Sequence, residues 1–169
     1  MGNNISFIII IRFLLLAFVQ VLIFNHLNFF GYINPMVYIL FLYWYPIKEQ
    51  RGLFISVCFL LGLTIDIFSD TMALHAAATV TIAYFRPILM RFCFGVNLEF
   101  QSFKLANATK LQQITFLALL IILHHLVFFS LEIFNFSNLF LILKKFFLVG
   151  IATMVLSLLL GSLFSTRKE

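Results

Sequence analysis

Residues 5–24 read ISFIIIIRFLLLAFVQVLIF, twenty positions carrying a single charge, Arg12. A helix needs about 20 mostly apolar residues to cross the hydrocarbon core of a bilayer, and this run supplies them. The rest of the chain has the same character. Hydrophobic residues make up 63% of its 169 positions, charged residues 10%, and the mean hydropathy is +1.12. A water-facing surface needs far more charge than that, so the composition excludes a soluble domain. Residues 1–4 hold no basic group. The apolar run after them is longer than a signal-peptide core, with no small-residue cleavage site, so it reads as a retained first span.

Working outward, six apolar segments fall at about 5–24, 30–45, 52–68, 72–92, 114–134 and 139–164. The chain length suits one domain, here a single transmembrane domain over 1–169. The expected fold is an all-α integral membrane protein of six transmembrane helices. The second and third segments are short, so one of them enters incompletely or tilts little. Basic residues set the orientation. Lys48 and Arg51 lie between spans two and three; Arg91, Lys104 and Lys110 between four and five; Arg167 and Lys168 in the tail. The connectors after spans one and three hold no Lys or Arg. Both termini are therefore expected in the cytoplasm. Arg12 agrees, because it can snorkel to the inner face. Lys144 and Lys145 disagree, since they fall at the outer end of span six.

Depth then sorts the polar residues, at about 1.5 Å per helical residue. Asp66 and Asp70 close span three, four apart and so on one face, with Gly62 a turn earlier. His75 opens span four at the same depth, Glu132 ends span five there, and Lys144 and Lys145 begin span six there. These six form an expected outer polar cluster in which the lysines offset the carboxylates. One reading makes them helix-end caps in the headgroups; the other makes them a partner-contact or ligand-facing patch.

At the inner side, Arg86 precedes Pro87, which kinks a helix and frees a carbonyl. Snorkelling is the favoured reading of Arg86, with a buried role as its competitor. His124 and His125 sit near the middle of span five and point about 100° apart, so interhelical hydrogen bonding fits better than a shared site. Ala73, Ala76, Ala77 and Ala83 in span four, and Gly150, Thr153, Ser157 and Gly161 in span six, mark close helix contacts. The connector 93–113 reads equally as an amphipathic surface helix or a solvated loop. Cys58 and Cys93 form no CxxC pair and are expected as free thiols. Hydrolase, metalloprotease, nucleotide and dinucleotide motifs are absent. No enzyme activity, cofactor or metal is expected, and no nucleic-acid binding, because the basic residues serve topology.

The turn between spans three and four is more specific. Gly62-Leu63-Thr64-Ile65-Asp66-Ile67-Phe68-Ser69-Asp70 runs into Met72-Ala73-Leu74-His75-Ala76-Ala77-Ala78. This resembles the MreD family of rod-shape-determining membrane proteins, in which a G-L-x-x-D segment closes one helix and a small residue, an apolar one and often histidine open the next. Gly31-Tyr32-Ile33-Asn34-Pro35 is similar to the family's start of its second span, and Tyr84 with Arg86-Pro87 to its fourth. Where Ala73 stands, the family more often has glycine. The resemblance covers essentially the whole chain. It implies a non-enzymatic scaffold of the cell-elongation complex in the bacterial inner (cytoplasmic) membrane. The implied partners are an MreC-like membrane protein and, through it, an MreB-like filament and the wall synthases, RodA with its penicillin-binding protein. It also implies a fold similar to the substrate-binding S-components of energy-coupling-factor transporters. A subunit of such a transporter is the alternative.

Overall fold

The computed structural model describes residues 2–27, 33–47, 50–95, 105–132 and 139–164. Several expected features lie outside these residues: 30–32 of the second span, Lys48, Lys104 and the polar connector from 96 to 104, 133–134 of the fifth span, Arg167 and Lys168.

The described chain is helical. Helix α1 (Gly2–Val19) passes through a π-helical stretch, Gln20–Phe24, into a last turn, α2 (Asn25–Leu27). Then come α3 (Ile39–Trp44), α4 (Arg51–Ser69), α5 (Leu74–Phe94), α6 (Lys110–Glu132) and α7 (Leu139–Phe164). Five stretches are long and apolar enough to cross a membrane: Ser6–Leu27, Arg51–Ser69, Leu74–Phe94, Lys110–Glu132 and Leu143–Ser162. Their outward faces carry large apolar side chains, among them Phe7, Leu22, Ile67, Phe92 and Phe147. Such a surface suits lipid, since soluble monomers do not expose apolar patches on this scale.

The expected second span is not a continuous helix among the described residues. Between 33 and 47 the only helix is α3, six residues long, or about 9 Å, far short of a bilayer. Pro46 explains where it stops. A proline pushes the residue before it out of the helical region, and Tyr45, before Pro46, is extended with ψ 136°. Irregular backbone at membrane depth survives only where protein satisfies its polar groups, and here side chains do so. The Pro35 carbonyl accepts from Gln20 Nε2 at 3.0 Å, the Tyr38 N–H donates to Gln20 Oε1 at 3.4 Å, and the Met36 N–H donates to Thr153 Oγ1 at 3.0 Å. Val37, Tyr38, Ile39 and Leu42 are fully enclosed. This greasy stretch is the centre of the core, and it is apolar because protein surrounds it.

Pairwise contacts give the directions. Gln20 lies beside Pro35 and Tyr38 while Arg12 donates to the Trp44 carbonyl at 3.0 Å, so the 33–44 segment runs antiparallel to α1. Tyr45 stacks against Phe54 at 4.3 Å, near the start of α4. His75 meets Tyr38, and Arg86 meets Tyr45, so α5 runs parallel to α3. Tyr43 packs on Phe116 and Tyr38 meets His124, which sets α6 antiparallel to α3. Lys145 pairs with Glu132 while Thr153 meets His125, which sets α7 antiparallel to α6.

The tightest approach is between α4 and α5. A Cβ on Gly62 would stand 2.5 Å from the Ala76 Cα and 2.5 Å from Thr79 Oγ1. Ala76, Ala78 and Ala83 are buried along the same helix. In α7, Thr153 and Ser157 are buried, but a Cβ on Gly150 or Gly161 would meet nothing within 4 Å, so these glycines are not closely packed among the described residues. Pro87 lies inside α5, which continues through it. At the start of α6, Thr109 and Gln112 form a reciprocal capping box: the Thr109 N–H donates to Gln112 Oε1 at 3.1 Å, and the Gln112 N–H donates to Thr109 Oγ1 at 3.3 Å. Of the 93–113 connector, the described part holds a single 3-10 turn, Leu105–Asn107. Cys58 is buried, Cys93 is half-buried, and both are free.

Candidate functional site

Helix α5 begins without a cap of its own. Its N-cap residue is Ala73, which has no polar side chain and adopts a left-handed backbone with φ 59°. The first N–H groups of a helix need acceptors, and Asp66 of α4 provides them. Its Oδ1 accepts from the His75 N–H at 3.0 Å, and its Oδ2 accepts from the Ala76 N–H at 2.8 Å. Thr71 Oγ1 also donates to Oδ1, at 2.5 Å. The turn that makes this possible has two non-glycine residues at positive φ, Asp70 (52°) and Ala73 (59°). Asp66 is only 3% exposed. The carboxyl group is thus a tertiary cap that welds one helix end to the next.

Beyond that cap runs a chain of aromatic hydrogen bonds. The Tyr38 hydroxyl lies 2.7 Å from His75 Nδ1 and 2.6 Å from His124 Nε2. Tyr38 has one proton and cannot donate to both, so one imidazole must donate to its oxygen. His124 Nδ1 is buried without a partner. A buried orphan N–H is rarer than an orphan acceptor, which favours the tautomer protonated on Nε2. His124 then donates to Tyr38, and Tyr38 donates to His75. His125 turns the other way. Its Nδ1 donates to the Ile121 carbonyl at 2.8 Å, and its Nε2 lies 3.4 Å from Thr153 Oγ1. Asn25 Nδ2 donates to Ser69 Oγ at 2.6 Å and ties the start of α2 to the end of α4. With the Gln20 bonds, these connect the Gln20–Leu27 stretch, the 33–38 segment, α4, α5, α6 and α7 through one largely buried polar layer.

The six residues expected as an outer cluster fall into different settings. Asp66 and His75 are joined and buried, and Asp70 is exposed at the end of α4. Glu132 and Lys145 form an exposed ion pair at 3.3 Å, and Lys144 is exposed beside it. Asp66 and Asp70 part at the end of α4, Asp66 buried and Asp70 exposed, where the backbone turns left-handed at Asp70. The snorkelling reading of Arg86 is corrected: it is 5% exposed, donates to the Tyr45 carbonyl at 2.6 Å and lies 4.9 Å over the Phe54 ring. Arg12 binds the Trp44 carbonyl and lies 5.7 Å over the Trp44 ring.

Tyr38, Gln20 and Thr153 escaped the sequence reading as parts of one layer. Tyr38 looked like one more aromatic in an apolar run, and only the path of residues 33–38 brings it between the two histidines. Among the described residues no group of three His, Cys, Asp or Glu side chains is placed to hold a metal ion. No family model, curated protein or solved structure matches the chain.

Proposed function

We propose that the chain is a non-enzymatic membrane scaffold of a bacterial cell-elongation complex, similar to MreD and seated in the inner membrane with both termini in the cytoplasm. The observation that carries this reading is the α4–α5 hairpin. The residues that bear the resemblance, Gly62, Asp66, His75 and Ala76, act there as one unit, with Gly62 against Ala76 and Asp66 bonded to the N–H groups of His75 and Ala76. Their polar atoms are engaged in holding helices, which suits a protein whose work is to present a fixed surface. The antiparallel course of residues 33–44 beside α1 supports a six-crossing layout in which the second crossing is broken. Asp70, Lys144 and the Glu132–Lys145 pair are the exposed members of the expected cluster. They are the candidates for contact with an MreC-like partner, while Asp66 and His75 shape that surface from behind.

The transporter-subunit alternative needs a ligand cavity lined by Asp66, Asp70 and His75. Asp66 instead caps the start of α5 and His75 bonds to the Tyr38 hydroxyl, so the scaffold reading is preferred. Deleting the gene in its native host tests it. Loss of cell-width control, restored by the intact gene, is the expected result. Unchanged shape and wall growth would overturn it.

A further inference from the structure

A cavity of about 660 Å³ opens between α1, α3, α6 and α7, at the end of the bundle where α6 begins and α7 ends. Its size falls within the range of ligand sites, about 300–1,000 Å³. Ile8, Ile11, Leu15, Ile114 and Leu158 contribute apolar walls and are themselves 40–46% exposed, so the walls continue onto the lipid-facing surface. Two cations, Arg12 and Lys110, line it, and among the described residues no acidic side chain does. Ser157 also lines it; the residue is fully buried, and its Oγ has no hydrogen-bond partner. A buried hydroxyl left unpaired calls for a partner.

From this geometry we infer that the cavity binds an anionic phospholipid. The acyl chains lie along α1 and α7, and the phosphate lies between Arg12 and Lys110. A zwitterionic lipid meets the same apolar walls but gains less from the two cations. Each basic group near an anionic headgroup favours it by about fivefold.

Trp44 is the chain's single tryptophan and lines the cavity, so its fluorescence reports occupancy directly. The full chain is reconstituted in phosphatidylcholine vesicles that carry either phosphatidylcholine or phosphatidylglycerol brominated on the acyl chains. Brominated phosphatidylglycerol is expected to quench Trp44 at an at least fivefold lower mole fraction. Lys110→Gln is expected to reduce that preference by about fivefold. Lys110 is exposed and starts a helix, so its loss does not threaten folding. Arg91→Gln, an exposed cation away from the cavity walls, should leave the preference intact. A Cβ at Gly161 meets open space, so Gly161→Leu should fill the cavity and weaken quenching by both lipids while circular dichroism is unchanged. Equal quenching by the two lipids in the wild type would overturn the inference. So would a preference that survives Lys110→Gln or disappears with Arg91→Gln, or quenching unaffected by Gly161→Leu.

Discussion

Replacing Gly62 with alanine probes the packing on which the account depends. The added Cβ would lie 2.5 Å from the Ala76 Cα and 2.6 Å from the Ala76 nitrogen, whereas carbon atoms settle at about 3.5–4.0 Å. These neighbours are backbone, so no side-chain rotation relieves the overlap, and α4 and α5 must separate by about 1 Å. The Asp66 bonds to the His75 and Ala76 N–H groups, now 3.0 and 2.8 Å, would stretch to about 4 Å and cease to be hydrogen bonds. Overpacking costs about 1–3 kcal/mol. Each lost bond to an acidic group costs about 1.5–3 kcal/mol if it is not remade. Alanine returns only about 0.5–1 kcal/mol through helix propensity. The net loss is at least about 3 kcal/mol, a hundredfold or more in the folding equilibrium. Reversible unfolding in mixed detergent micelles measures it. A Gly62→Ala protein as stable as the wild type, or more so, would refute the close-packed hairpin.

Asp66→Asn keeps the size but places an amide NH2 where only acceptors fit, so a loss of about 1–3 kcal/mol is expected in the same assay. Ala73→Gly should act oppositely: φ 59° at Ala73 is strained for a residue with a Cβ, and glycine there should stabilise the protein by about 1 kcal/mol, read as a raised unfolding midpoint. Tyr38→Phe removes the hydroxyl shared by His75 and His124, leaving two buried ring nitrogens unpaired, and should destabilise by about 2–4 kcal/mol. A membrane-permeant maleimide should label Cys93 in the native protein and Cys58, fully buried, only after unfolding; mass spectrometry of the labelled peptides decides.

The long helices were legible because lipid imposes a simple requirement, a long run without charge. The expected segment 52–68 became Arg51–Ser69, and 72–92 became Leu74–Phe94. The form of the second segment was hidden for the same reason: hydropathy cannot separate a helix facing lipid from a strip of chain enclosed by protein. Pro46, which ends α3, held the clue. Depth counting put Asp66 and His75 at one level, and they do meet. It did not reveal that Asp66 turns inward to cap α5, because that depends on the left-handed turn at Asp70 and Ala73. Arg86 was misjudged because the Tyr45 carbonyl that receives it is freed only by the break at Pro46.

The central claim concerns partners, so the decisive measurement is gentle solubilisation of the tagged chain from its native membrane, with mass spectrometry of what co-purifies. An MreC-like protein together with wall synthases is the result expected of the scaffold. An ATPase-coupled transport module in their place would contradict it.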